Sequence, residues 1–191
     1  MKIKLIISFI LAIICAGLAY TLYDSINGRH DEIKRVTRVE AAIKSELRLI
    51  RDAQEAYLQT KGEFASSWDS LRKFCTEGKL YITVRNEEIF PNTPYYGVDS
   101  IAVIIDTVNT VLVRDSLFIN NPARVDYDIQ KLGQIPESDK EFALYTTTID
   151  GVAAYEIKDI APINKERQEG RLDTLRLGSK EIATTRGSWE K

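Results

Sequence analysis

The chain has 191 residues and a formal net charge of −2, from 26 Lys and Arg against 28 Asp and Glu. That length favours one domain with appendages over two full domains, and the charge balance gives no basic footprint for nucleic acid. The two cysteines, Cys15 in an apolar run and Cys75 in the polar remainder, exclude a disulfide framework and a cysteine metal cluster.

Met1-Lys2-Ile3-Lys4 is a short basic start, and Leu5 to Tyr23 then runs for about 19 residues without a charge. As a helix that run reaches across a hydrocarbon core of about 30 Å. Lys2 and Lys4 favour a cytoplasmic N-terminus, which sends the remainder to the periplasm, although Arg29, Lys34, Arg35 and Arg38 lie close on the far side. The alternative is a cleaved signal peptide, with Leu5 to Ile14 as its apolar core and Gly17-Leu18-Ala19 as a small-residue site. An uncleaved anchor is favoured because the apolar character continues through Leu22 and a helical pattern follows almost at once.

Ile33, Val36, Ile43, Leu47, Ile50 and Tyr57 fall on a three-four spacing, a heptad seam in which Glu40 and Gln54 take seam positions. The spacing predicts a helix from Ile3 to Thr60, about 87 Å long at 1.5 Å per residue. Asn27-Gly28 is the one place it could break. Two uses of the seam stay open: packing on the chain's own sheet, or docking on partner helices. On the second reading the six apolar seam residues are candidate docking residues. The polar breaks count against a self-sufficient coiled coil.

Gly62 ends the helix. Ser66 or Ser67 is the expected N-cap of a short helix whose buried face is Trp68, Leu71 and Phe74, ending near Gly78. Leu80 to Arg85 alternates and predicts a strand. Asn86 to Tyr96, with Pro91 and Pro94, predicts a loop, and its aromatic residues Phe90, Tyr95 and Tyr96 make it a candidate interaction loop. Ile101 to Asp106 and Val111 to Arg114 predict strands, joined at Asn109 or parts of one long strand. Asp115 to Asp128 reads as irregular, and Tyr127 to Leu132 as a helical turn stopped by Gly133. Phe142 to Ile149 and Val152 to Lys158 predict a hairpin around Asp150-Gly151. Pro162 to Gly170 predicts one helical turn, and Leu172 to Leu177 an edge strand. The expectation is an α+β protein: an anchor over residues 1–24, an amphipathic stalk over 25–60 packed on a small antiparallel sheet, and an α+β head over 61–191.

Little in this text is chemistry. His30 is the only histidine, and no Ser-His-Asp or nearby Cys-His pair can be assembled around it. No phosphate-binding glycine loop is present. Asp99, Asp106, Asp115, Asp126 and Asp128 lack the spacing of a calcium loop and read as turn caps. Cys75 reads as a small buried apolar residue. Neither a cofactor nor a metal is expected, and the expectation is a non-enzymatic protein.

The layout resembles type IV pilins and type II secretion pseudopilins, with a basic start, an apolar segment continuing into a long helix, and a small head. Ala56-Tyr57, Gly62-Glu63-Phe64 and Leu71 are similar to the passage where such a helix hands over to its head. The chain has no Gly-Phe processing site after the basic start and no early Glu in the apolar run. It also resembles a Bacteroidota family of single-pass envelope proteins. That likeness is carried by Val39-Glu40-Ala41-Ala42, Leu49 to Tyr57, Trp68-Asp69-Ser70-Leu71 with Phe74, Arg114 to Phe118, Gly178-Ser179 and Gly187 to Glu190. These resemblances imply an inner-membrane protein with a periplasmic head; the role expected of it, which the resemblances do not themselves imply, is that of an accessory subunit of an envelope complex, with energised transport or secretion the first kind of machine to test. The alternatives are a pseudopilin-like filament subunit, with self-association, and a periplasmic peptide or ligand binder using the Phe90–Tyr96 loop.

Overall fold

The structure is a computed structural model. It describes the backbone of residues 2–90 and 100–190, and the side chains of these residues apart from 2–10, 22, 24–29 and 82–108. Its order is α1 (Lys2–Lys61), α2 (Trp68–Glu77), β1 (Lys79–Phe90), β2 (Ser100–Leu112), a π-helical turn (Asp115–Ile119), a 3-10 turn (Ile129–Lys131), β3 (Ala143–Ile149), β4 (Val152–Lys158), α3 (Lys165–Gln168) and β5 (Arg176–Gly178). The class is α+β. β1 and β2 form one antiparallel ribbon, and β3-β4-β5 form a three-stranded antiparallel sheet.

α1 runs unbroken for 60 residues, through Asn27-Gly28, a length of about 90 Å. Among the described residues no helix is long and apolar enough to cross a membrane. The side chains of residues 2–10, which carry the first part of the Leu5–Tyr23 run, lie outside the described set. The described remainder, residues 11–23, spans only about 20 Å.

The core forms where the C-terminal third of α1 meets the head. Val39, Ile43, Leu47, Leu49, Ile50, Ala53 and Ala56 are buried with Trp68, Leu71, Phe74, Leu132, Phe142, Tyr155, Ile157 and Leu177. The burial repeats at three and four residues on a face broad enough to meet α2 on one side and the β3-β4-β5 sheet on the other. The head therefore does not begin at residue 61. Its central helix is the Val39–Leu58 part of the expected stalk.

Local chemistry explains the shorter elements. Ser67 caps α2, its side chain accepting from the Ser70 N–H. Asp150 and Gly151, with φ of 51° and 81°, make the tight turn between β3 and β4. Two expectations need correction, and one open alternative is decided. Asn86–Phe90 is strand, not loop, because its backbone pairs with Ser100–Ile104, and pairing overrides the polar composition of Asn86 to Glu88. Of the two alternatives left open around Asn109, one long strand is what forms, with a register shift beside Ile82 and Thr83. β5 starts only at Arg176, because Arg171 and Leu172 donate to the Glu166 carbonyl and so wrap around α3.

Candidate functional site

The seam residues divide at Val39. Ile43 is 1% exposed, and Leu47 and Ile50 are fully buried in the chain's own core. Tyr57 is half-buried, with its ring edge-on to Phe74 at 5.0 Å. The docking role expected of Ile43, Leu47 and Ile50 is corrected accordingly: they hold the head to α1 and are covered by it, while Tyr57 keeps part of its surface. Ile33, 61% exposed, and Val36, half-buried, are the seam residues on the N-terminal side of that core. They line a groove of about 660 Å³ between α1 and the segment before α3, with Glu32, Glu40, Lys44, Ile163 and Asn164 around them.

The two polar breaks in the seam have partners inside the chain. The buried Gln54 side chain accepts from the Ala65 N–H at 2.9 Å and donates to the Ala65 carbonyl at 3.1 Å. It thereby clips the turn after Gly62 to the helix. Glu40 Oε1 accepts from Arg167 Nε at 2.8 Å and from Asn164 Nδ2 at 3.1 Å. Burial alone would push the Glu40 carboxyl up; the hydrogen bonds and charge of Arg167, with Asn164, outweigh it and leave it below its ordinary value.

Further polar residues on the same helix repeat the device. Glu46 accepts from the Tyr127 hydroxyl and from the Gly133 N–H at 3.4 Å. Burial pushes its carboxyl up despite those bonds, and the Tyr127 hydroxyl is pushed up by its own burial and by the Glu46 charge. Asp52 pairs with Arg124 at 2.9 Å. Arg51 pairs with Glu190 at 2.9 Å, and Glu190 also accepts from the Gly187 N–H. Among the described residues, α1 thus grips the segments around Ala65, Arg124 to Gly133 and Asn164 to Arg167, and the C-terminal Glu190, each through a polar side chain. The seam pattern points to Glu40 and Gln54. Glu46, Arg51 and Asp52 have no apolar periodicity to mark them, and only their partners identify them.

The candidate interaction loop is described in part. Phe90 is the last residue of β1, paired with Ser100; Tyr95 and Tyr96 lie outside the described residues. His30 is exposed on α1. Cys75 is fully buried, and burial pushes its thiol up to about 12, which disfavours the thiolate that reactivity needs. Among the described residues no group of three or more His, Cys, Asp or Glu could hold a metal ion. Asp159, whose carboxyl burial pushes up, accepts from the Ala161 N–H at 2.9 Å. That bond caps a turn.

From Leu11 to Arg35, every residue of α1 whose side chain is described is exposed. Leu11, Ile13, Ile14, Leu18, Tyr20 and Tyr23 are all among them. At about 3.6 residues per turn these six fall on all sides of the helix, not on one stripe. No protein-family model matches the chain, and no curated protein or solved structure matches it.

Proposed function

We propose that the chain is a non-enzymatic single-pass inner-membrane protein with a periplasmic head, and that it serves as a structural or accessory subunit of an envelope complex of the transport or secretion kind. The observation that carries this reading is the exposure of the described side chains of α1 between Leu11 and Arg35. Apolar side chains on every side of a helix suit lipid better than a single partner face, which would need only one stripe. Beyond the apolar stretch, Ile33 and Val36 offer a short stripe beside the head where a partner helix can dock. In the head, the raised Glu46 and Tyr127 groups face each other across a packing contact, and Asp159 Oδ1 caps a turn.

A second reading, a pseudopilin-like filament subunit, is favoured by the unbroken α1 whose C-terminal part packs on the head. Affinity purification of the full chain in mild detergent, read by mass spectrometry, separates the two. The accessory-subunit reading expects co-purified inner-membrane proteins and an intact Met1. A filament subunit expects homopolymers and a processed N-terminus. A clean monomer with no partner after gentle extraction would sink both.

A further inference from the structure

We infer that the outer edge of β2 pairs with the β2 of a second copy of this chain, across a two-fold axis at Val103, to give a four-stranded antiparallel sheet in the order β1-β2-β2-β1. Among the described residues β2 pairs with β1 alone, so one edge of a 13-residue strand carries backbone donors and acceptors without a strand neighbour. The composition of β2 is not that of an edge. Ile101 to Ile105 is an unbroken apolar run and β2 holds none of the Lys or Pro residues that blunt edges, which makes its edge a template for pairing with another chain. β1 does have an edge composition: Arg85, Asn86, Glu87 and Glu88 stand opposite Ile105, Ile104, Val103 and Ala102. A two-stranded ribbon is marginal alone in water, so β2 is the strand that gains from a second neighbour.

The register argues for a second copy as that neighbour. With Val103 opposite its own counterpart, Ile101 stands opposite Ile105, Ala102 opposite Ile104, and Ser100 opposite Asp106. In that register apolar residues stand opposite apolar ones, and the one charged residue of the segment stands opposite a polar one. Sliding one residue either way sets Ser100 opposite Ile105 or Asp106 opposite Ile101, so the self-complementary register is defined. The inference stands apart from membrane placement and from any partner complex.

Site-directed cross-linking in the full chain tests it, in mild detergent and with Cys15→Ser to remove the exposed thiol. Val103→Cys is expected to oxidise to a disulfide-linked dimer, because opposed residues in an antiparallel pair lie about 4.5–5.5 Å apart at Cα, within disulfide reach. Ile101→Cys is expected to stay monomeric, since its two copies would lie about 14 Å apart along the strands. Mixing Ile101→Cys with Ile105→Cys chains should restore the link. Val103→Lys should give a monomer by light scattering with unchanged near-ultraviolet circular dichroism. Equal cross-linking at positions 101 and 103, or none at 103, would overturn the inference. If Val103→Lys fails to fold, the cysteine variants decide the question without it.

Discussion

Glu46 is where the fold takes on a cost. It is a carboxylate carried into the interface by its place on α1, and the Tyr127 hydroxyl and the Gly133 N–H compensate its burial only in part. Its folded-state pKa is raised above the ordinary value of 4.5, so the native chain binds this proton more tightly than the unfolded chain does. Stability from this group is then greatest at low pH, and it falls as pH rises from about 4.5 through the folded-state pKa. Glu46→Gln keeps an acceptor for Tyr127 and removes the ionisation. The melting temperature of the variant should therefore rise relative to the wild type across that window and run parallel above it. Each tenfold change in proton affinity is worth about 1.4 kcal/mol, or roughly 3–6 °C for a chain this size. Glu40 and Glu190 are shifted the other way and are common to both proteins, so they cancel in the difference. A difference that does not vary with pH would show that Glu46 is ionised as easily folded as unfolded.

At the scale of elements, α2 is fixed by one ring. Trp68 donates its Nε1–H to the Phe142 carbonyl at 3.0 Å and lies against Gly133, whose φ is +91°. A Cβ at position 133 would come within 2.5–2.9 Å of three carbons of that ring. The ring cannot retreat without giving up its hydrogen bond. Gly133→Ala should cost about 2–5 kcal/mol, summing a strained backbone and an overpacked contact. Gly62, with φ +80° and open space around it, is the control: Gly62→Ala should lose only the backbone part, about 1 kcal/mol. Equal losses in denaturant unfolding would mean that the Trp68 wall is not the cause. α2, the Asp150-Gly151 hairpin and the single α3 turn are legible in the sequence because each is announced locally, by a cap, a turn pair or a short apolar period. The length of β1 is not legible. Asn86, Glu87 and Glu88 have no local preference for strand, and only the pairing with β2, a contact between distant segments, makes them one.

For the molecule as a whole, the division into stalk and head misplaces the boundary. The seam was readable, but its period cannot say what covers it: the same three-four spacing serves a partner helix and the chain's own sheet. The Glu40 and Gln54 partners, Arg167 and Ala65, lie 127 and 11 residues away, which no periodicity reveals. The boundary has a measurable consequence. A fragment of residues 37–191 keeps every buried residue of α1 and loses the exposed pairs Arg35–Glu137 and Lys165–Glu32, each worth about 0–1 kcal/mol. It should melt cooperatively, close to the full chain. A fragment of residues 61–191 loses Val39, Ile43, Leu47, Leu49 and Ile50. At about 1.5–3 kcal/mol for each buried side chain, that is roughly 7–15 kcal/mol, as large as the whole stability of a typical domain. The shorter fragment should show no near-ultraviolet circular dichroism and no cooperative melt. If it folds alone, α1 is an attachment to the head and not its spine. The functional weight would then shift back to a self-contained head.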